Sequence, residues 1–190
     1  MGVPFAAPPE RLLLGPGPSP VAQRVLDAQA RAVVGHLDPW FLEVTDQVAE
    51  LLRATFRTSN RLTFAVSGTG SAGMEASLVN IVSPGDTVIV GVNGVFGGRL
   101  ADTARRAGAN VVELREDWGR IIPPDRVADA LAEHPDARAV VLVHAETSTG
   151  ARQPLEEVGA LVADTDTLFV VDCVTSLGGI PVEVDGWQLD

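Results

Sequence analysis

The residues best placed to do chemistry stand at the ends of apolar runs. Asp172 closes the run Leu168-Phe169-Val170-Val171 and is followed by Cys173 and Val174. A carboxylate at the end of a buried segment must meet a cation or accept several hydrogen bonds. One use for it is to hold the protonated ring nitrogen of a bound heterocycle, the partner a pyridine needs when its ring takes up electrons. An arginine partner or a helix cap would account for the same residue. Upstream, Ser67-Gly68-Thr69-Gly70-Ser71-Ala72-Gly73 also follows an apolar run. Its glycines spell G-x-G-x-x-G, the dinucleotide fingerprint, which also wants an acid at the end of the next strand. That strand ends Val92-Asn93-Gly94, with no acid. Three hydroxyls among the glycines, set before a helix, instead suit a single phosphate group. A plain strand-to-helix turn remains the simpler alternative. Phe96, in a glycine-rich stretch of a chain with only 5% aromatics, could stack on a flat ring or serve as an ordinary core aromatic.

Composition sets limits on that chemistry. Lys and Arg total 14, and all 14 are arginines, so the 190 residues contain no lysine amine. The formal net charge of -11 disfavours a nucleic-acid groove. The single cysteine, Cys173, rules out an internal disulfide, and its place on a buried strand end suits packing better than nucleophilic attack. His36, His134 and His144 show no metal-ligand spacing, so no metal site is expected. No apolar run approaches the roughly 18 residues that span a bilayer. Residues 1–9 lack the basic start and apolar core of a signal peptide, so a cytoplasmic location is expected.

The elements that must position these residues follow from the apolar pattern. Residues 62–66, 87–92, 110–114, 139–143 and 168–171 read as short buried strands, rich in Val, Ile and Leu. Residues 71–82, 97–107, 124–134 and 154–163 read as intervening helices, with 20–34 and 39–56 as two more upstream. Such alternation predicts a three-layer α/β/α fold around a mostly parallel sheet. Ligands of such sheets sit beyond the carboxyl ends of the strands, where all the candidate residues fall. The Pro- and Gly-rich residues 1–20 read as an N-terminal arm, and 21–190 as the large domain.

Taken together, these pieces resemble the class V aminotransferases of the fold-type I pyridoxal phosphate (PLP) enzymes. The likeness is to the alanine–glyoxylate, serine–pyruvate and ureidoglycine–glyoxylate branch. It rests on Gly15-Pro16-Gly17-Pro18, on Ser67-Gly68-Thr69-Gly70, on Glu146-Thr147-Ser148-Thr149-Gly150 and on the stretch from Val171 to Gly179. It implies that Thr69, Gly70 and Ser71 hold the cofactor phosphate, with Ser71 standing where animal members carry a histidine. Phe96, often Trp in relatives, would stack on the pyridine ring, and Val174 would pack on its other face. Thr147 would bond the phenolic oxygen and Asp172 the ring nitrogen. Gly17 would lie near the substrate entrance.

The implied reaction is transamination between an amino acid of the alanine or serine type and a small 2-oxo acid such as glyoxylate or pyruvate, in a homodimer. The Ser-Gly-x-Gln-Lys segment bearing the family's Schiff-base lysine is absent, as is the family's small C-terminal domain. The resemblance therefore implies the front part of a longer enzyme, with 21–190 an incomplete PLP-binding domain unable to turn over alone. A non-catalytic remnant of the fold and a nucleotide-binding oxidoreductase domain are the competing readings.

Overall fold

The computed structural model describes residues 9–190. Residues 1–8, where the expected arm begins and no signal peptide is expected, lie outside the described residues. Four parallel strands form the central sheet, β1 (Thr87–Val92), β2 (Asn110–Arg115), β3 (Ala139–Val143) and β6 (Leu168–Asp172), in the order β2-β1-β3-β6. Two short antiparallel strands, β4 (Ala145–Glu146) and β5 (Ala151–Arg152), make a small hairpin beside it. Among the described residues six helices accompany them: α1 (Gln23–Gln29), α2 (Pro39–Phe56), α3 (Gly70–Val79), α4 (Val95–Arg106), α5 (Pro124–Glu133) and α6 (Glu156–Ala163). No described helix is long and apolar enough to cross a membrane.

The strands are apolar throughout because both faces are covered. On one face Ile89, Val140, Leu142 and Phe169 pack with Val127 and Leu131 of α5 and Val158 and Val162 of α6. On the other, Val88, Val90, Val141 and Val143 pack with Met74 and Leu78 of α3 and Leu100 and Ala104 of α4. The result is the expected three-layer α/β/α arrangement. Close approach between layers demands glycine at two places. A Cβ on Gly97 would stand 2.5 Å from the Gly91 carbonyl oxygen, and one on Gly159 would stand 1.9 Å from that of Trp187.

Register brings the functional ends together. Val90 pairs with Val141 and Val143 with Asp172, so β1, β3 and β6 end on one edge of the sheet. The chain leaves β1 for β2 on one side, while β3 lies on its other side. That reversal opens a crevice at the carboxyl ends of β1 and β3, the usual ligand position in open α/β sheets.

One expected strand is absent. Residues 62–66 have no strand partner, and Leu62, Phe64 and Val66 are 85, 62 and 72% exposed. A strand exists only by pairing, and β6, at the sheet's edge, does not pair with this run among the described residues. Helix α1 is shorter than expected, spanning Gln23–Gln29 with no buried side chain to extend it.

Candidate active site

A cavity of about 250 Å³ opens at the carboxyl edge of the sheet. Its walls include Thr69, Gly70, Ser71 and Met74 from α3 and its approach, Phe96 and Arg99 from α4, and Thr147 from the hairpin turn. Asp172, the last residue of β6, and Val174 and Thr175 just beyond that strand complete it. Seven of the eight residues singled out in the sequence thus meet in one place. Gly17 does not line this cavity; it sits in an exposed stretch of the amino-terminal segment.

The cradle at α3 is built by capping. Thr69 is the N-cap, and its Oγ1 accepts from the Ala72 N–H at 3.2 Å. Because Oγ1 acts there as an acceptor, its own proton stays free to donate. The N–H groups of Gly70 and Ser71, at the first turn, have no partner among the described residues. The Ser71 Oγ accepts from the Arg99 guanidinium at 3.2 Å, which leaves its proton free as well. Two N–H groups and two hydroxyls at a helix N-terminus form a donor set suited to an anion.

The ring wall depends on a buried carboxylate. Helix α4 has no side-chain cap of its own at Gly94. Glu146, only 1% exposed, reaches across from the hairpin, and its Oε2 accepts from the N–H groups of Phe96 and Gly97 at 3.0 and 3.1 Å. Its Oε1 accepts from Ser148 N and Oγ at 3.1 and 2.6 Å. The Ser148 Oγ in turn accepts from Val95 N at 3.0 Å. The first turn of α4, which carries Phe96, is therefore tied to the turn that carries Thr147. Gly94 must lack a side chain, since its Cβ would stand 2.4 Å from Glu146 Cγ. The Arg99 guanidinium lies 5.2 Å from the centre of the Phe96 ring, a cation–π contact.

Asp172 ends β6 and starts a tight turn, its Oδ1 accepting from Val174 N at 2.9 Å. It forms no ion pair among the described residues, so the arginine partner considered from sequence is not present. Val174 is 74% exposed at the cavity, an apolar wall without a protein neighbour covering it. Thr147 and Thr175 share a hydrogen bond between their hydroxyls. Burial above all, with a smaller contribution from the Asp172 charge and against a Ser176 hydrogen bond that lowers it, leaves the Cys173 thiol pushed up to about 11. That suits a packed thiol rather than a nucleophile. Behind the hairpin, His144 is buried, with Nδ1 2.9 Å from Ser176 Oγ and its ring edge-on to Trp187. Burial, then the Arg152 charge, lowers its pKa.

Sequence reasoning missed Glu146, Thr175 and Arg99. Glu146 was visible only as part of a motif, although it is the one acid between Ala139 and Gln153 and stands three residues after the apolar run that ends at Val143. Arg99 follows Phe96 by three residues, which places both on one helix face.

These residues fit PLP, on chemistry alone. They offer an anion cradle, an aromatic and an exposed apolar wall, and a carboxylate with one oxygen unclaimed. The comparisons with known proteins agree. Residues 13–190 match the family model described as aminotransferase class-V. The chain is 40% identical to alanine–glyoxylate aminotransferase of Rattus norvegicus, over 96% of this chain and 44% of the relative. It is 38% identical to (S)-ureidoglycine–glyoxylate transaminase of Bacillus subtilis (strain 168), again over 96% of this chain and 44% of the relative. The crystal structure of alanine–glyoxylate aminotransferase from Nostoc sp. superposes with a TM-score of 0.96 at 50% identity, covering 100% of this chain and 50% of that one. The chain spans about half the length of the relatives it matches. Class V aminotransferases are PLP-dependent enzymes, and with a family match over nearly its whole length this chain belongs to them.

Proposed function

We propose that the intact protein is a PLP-dependent aminotransferase. It would move an amino group from an alanine- or serine-type donor to a small 2-oxo acid such as glyoxylate or pyruvate. The printed activities of the relatives support the substrate class. The observation that carries the reading is Asp172, whose Oδ1 is held by the Val174 N–H while no cation claims the other oxygen, in a cavity that also holds an anion cradle.

Bound there, PLP supplies the carbonyl that receives the amino group and a ring that accepts the electron pair released at the donor's α-carbon. Residues of this chain do the rest of the holding. Thr69, Gly70 and Ser71 donate to the phosphate, Phe96 and Val174 clamp the ring, and Thr147 donates to its phenolic oxygen. Asp172 keeps a proton on the ring nitrogen, which makes the ring an electron acceptor. Gly17 lies towards the substrate entrance. The chain has no lysine, so these 190 residues alone are expected to bind the cofactor without a covalent bond and not to turn over.

In this reading the described residues 9–20 belong to the arm and 21–190 form part of the large domain. Helix α2 buries no residue yet exposes Trp40, Phe41 and Leu51, which supports a homodimer that covers this face. A cytoplasmic location is part of the same reading. The test is Asp172→Asn in the intact enzyme, assayed with alanine or serine against glyoxylate or pyruvate. A fall in kcat of more than about a hundredfold is expected; near-normal turnover overturns the role of Asp172.

A further inference from the structure

Resting on the PLP reading above, we propose that Arg99 is a phosphate-recognition residue that makes the cradle selective for the phosphorylated cofactor. Three observations converge on it. Arg99 lines the cavity beside Thr69, Gly70 and Ser71. Its Nη1 donates to Ser71 Oγ at 3.2 Å, so the guanidinium stands within one hydroxyl of the anion cradle. Among the described residues it is also the only cationic side chain lining this cavity.

Its surroundings leave the charge available. Arg99 forms no ion pair among the described residues. The nearest acid along the helix, Asp102, is taken by Arg106 at 2.8 Å. Glu75 lines a neighbouring groove with Arg99, without an ion pair between them. A guanidinium carries five N–H donors, and Ser71 uses only one. Phe96, one turn back on α4, holds the group over its ring at 5.2 Å and limits where it can swing. Without Arg99 the cradle would be a set of neutral donors in a chain of net charge -11. With it, a doubly charged phosphate monoester meets a fixed positive fork, and the bond is charge-assisted. Arg99 also holds Ser71 Oγ as an acceptor, which turns the serine proton towards the ligand. The residue thereby positions a neighbour as well as binding the phosphate itself.

The test compares two ligands that differ only in the phosphate. Pyridoxamine phosphate and pyridoxamine lack the reactive aldehyde, so their binding is noncovalent and can be followed by calorimetry on the full chain. The variants are Arg99→Gln and Arg99→Lys, with the ligand-free unfolding midpoint of each measured first to establish the fold. Arg99→Gln is expected to weaken pyridoxamine phosphate by at least about tenfold and pyridoxamine by less than about twofold. Arg99→Lys, which keeps the charge but loses the fork, is expected to fall between Gln and the natural residue. Raising salt should weaken the phosphorylated ligand more in the natural chain than in Arg99→Gln. Equal losses for both ligands would make Arg99 a support for Phe96 alone and overturn the proposal. So would unchanged binding of the phosphorylated ligand. If the natural chain binds neither ligand, the cofactor reading itself fails; if it binds both and Arg99→Gln does not discriminate, only the role of Arg99 fails.

Discussion

Replacing Glu146 with glutamine should unsettle the active-site wall without touching the cavity. In the native chain each carboxylate oxygen accepts from two donors, Phe96 and Gly97 N–H on one side and Ser148 N–H and O–H on the other. Glutamine has one oxygen and one NH2 group, so two donors must face a donor. The cheaper orientation keeps the oxygen on α4 and turns the NH2 towards Ser148, whose hydroxyl can switch to accepting. The Ser148 N–H is then orphaned, at about 1–3 kcal/mol. The first turn of α4 also loses a negative charge, worth about 0.3–2 kcal/mol where burial limits screening. Together the loss is about 1.3–5 kcal/mol, which at roughly 2–4 °C per kcal/mol lowers Tm by about 3–20 °C. Thermal unfolding of the full chain, followed by circular dichroism, measures this. Glu157→Gln is the control, since Glu157 lies in the first turn of α6, where its charge also faces a helix N-terminus, but is exposed. A Tm for Glu146→Gln within about 1 °C of that control would refute the reasoning, because the burial and the four bonds would then count for nothing.

Two further outcomes follow from the packing. Gly159→Ala should destabilise the chain by at least about 3 kcal/mol, because its Cβ meets backbone at Trp187 that cannot swing aside, whereas Gly73→Ala, inside α3 with nothing within 4 Å, should stabilise by up to about 1 kcal/mol; urea unfolding of both variants checks the sign and the contrast. Iodoacetamide should alkylate Cys173 at pH 8 about a hundredfold more slowly than an unshifted thiol, and the rate should keep climbing towards pH 11 because burial holds the proton on sulfur, so a plateau near pH 9 would contradict the raised value of about 11.

The sheet was legible because its strands are buried on both faces, which writes a continuous apolar run into the sequence. The runs at 87–92 and 139–143 coincide with β1 and β3 for that reason. The run at 62–66 carries the same signal and forms no strand, because apolar composition reports the wish to be buried and not the presence of a partner. The start of α4 was misplaced by two residues because its cap comes from Glu146, fifty residues away from Phe96 and invisible to a local reading. The hairpin β4–β5 was missed because two-residue strands have no periodicity, although Gly150 in the left-handed region at φ 75° marks its turn. Of the candidate site, the residues at strand ends were readable by position. Arg99 was not, since it acts from a helix face and only the packing of α3 against α4 brings it to Ser71.

The central claim is that this cavity holds PLP with its ring nitrogen on Asp172. A crystal structure of the full chain at saturating PLP tests it most directly. The account predicts the ring between Phe96 and Val174, the ring nitrogen within hydrogen-bond distance of the Asp172 carboxylate, and the phosphate on Thr69, Gly70 and Ser71. A cofactor bound with its ring nitrogen facing solvent, or with its phosphate away from α3, would contradict it.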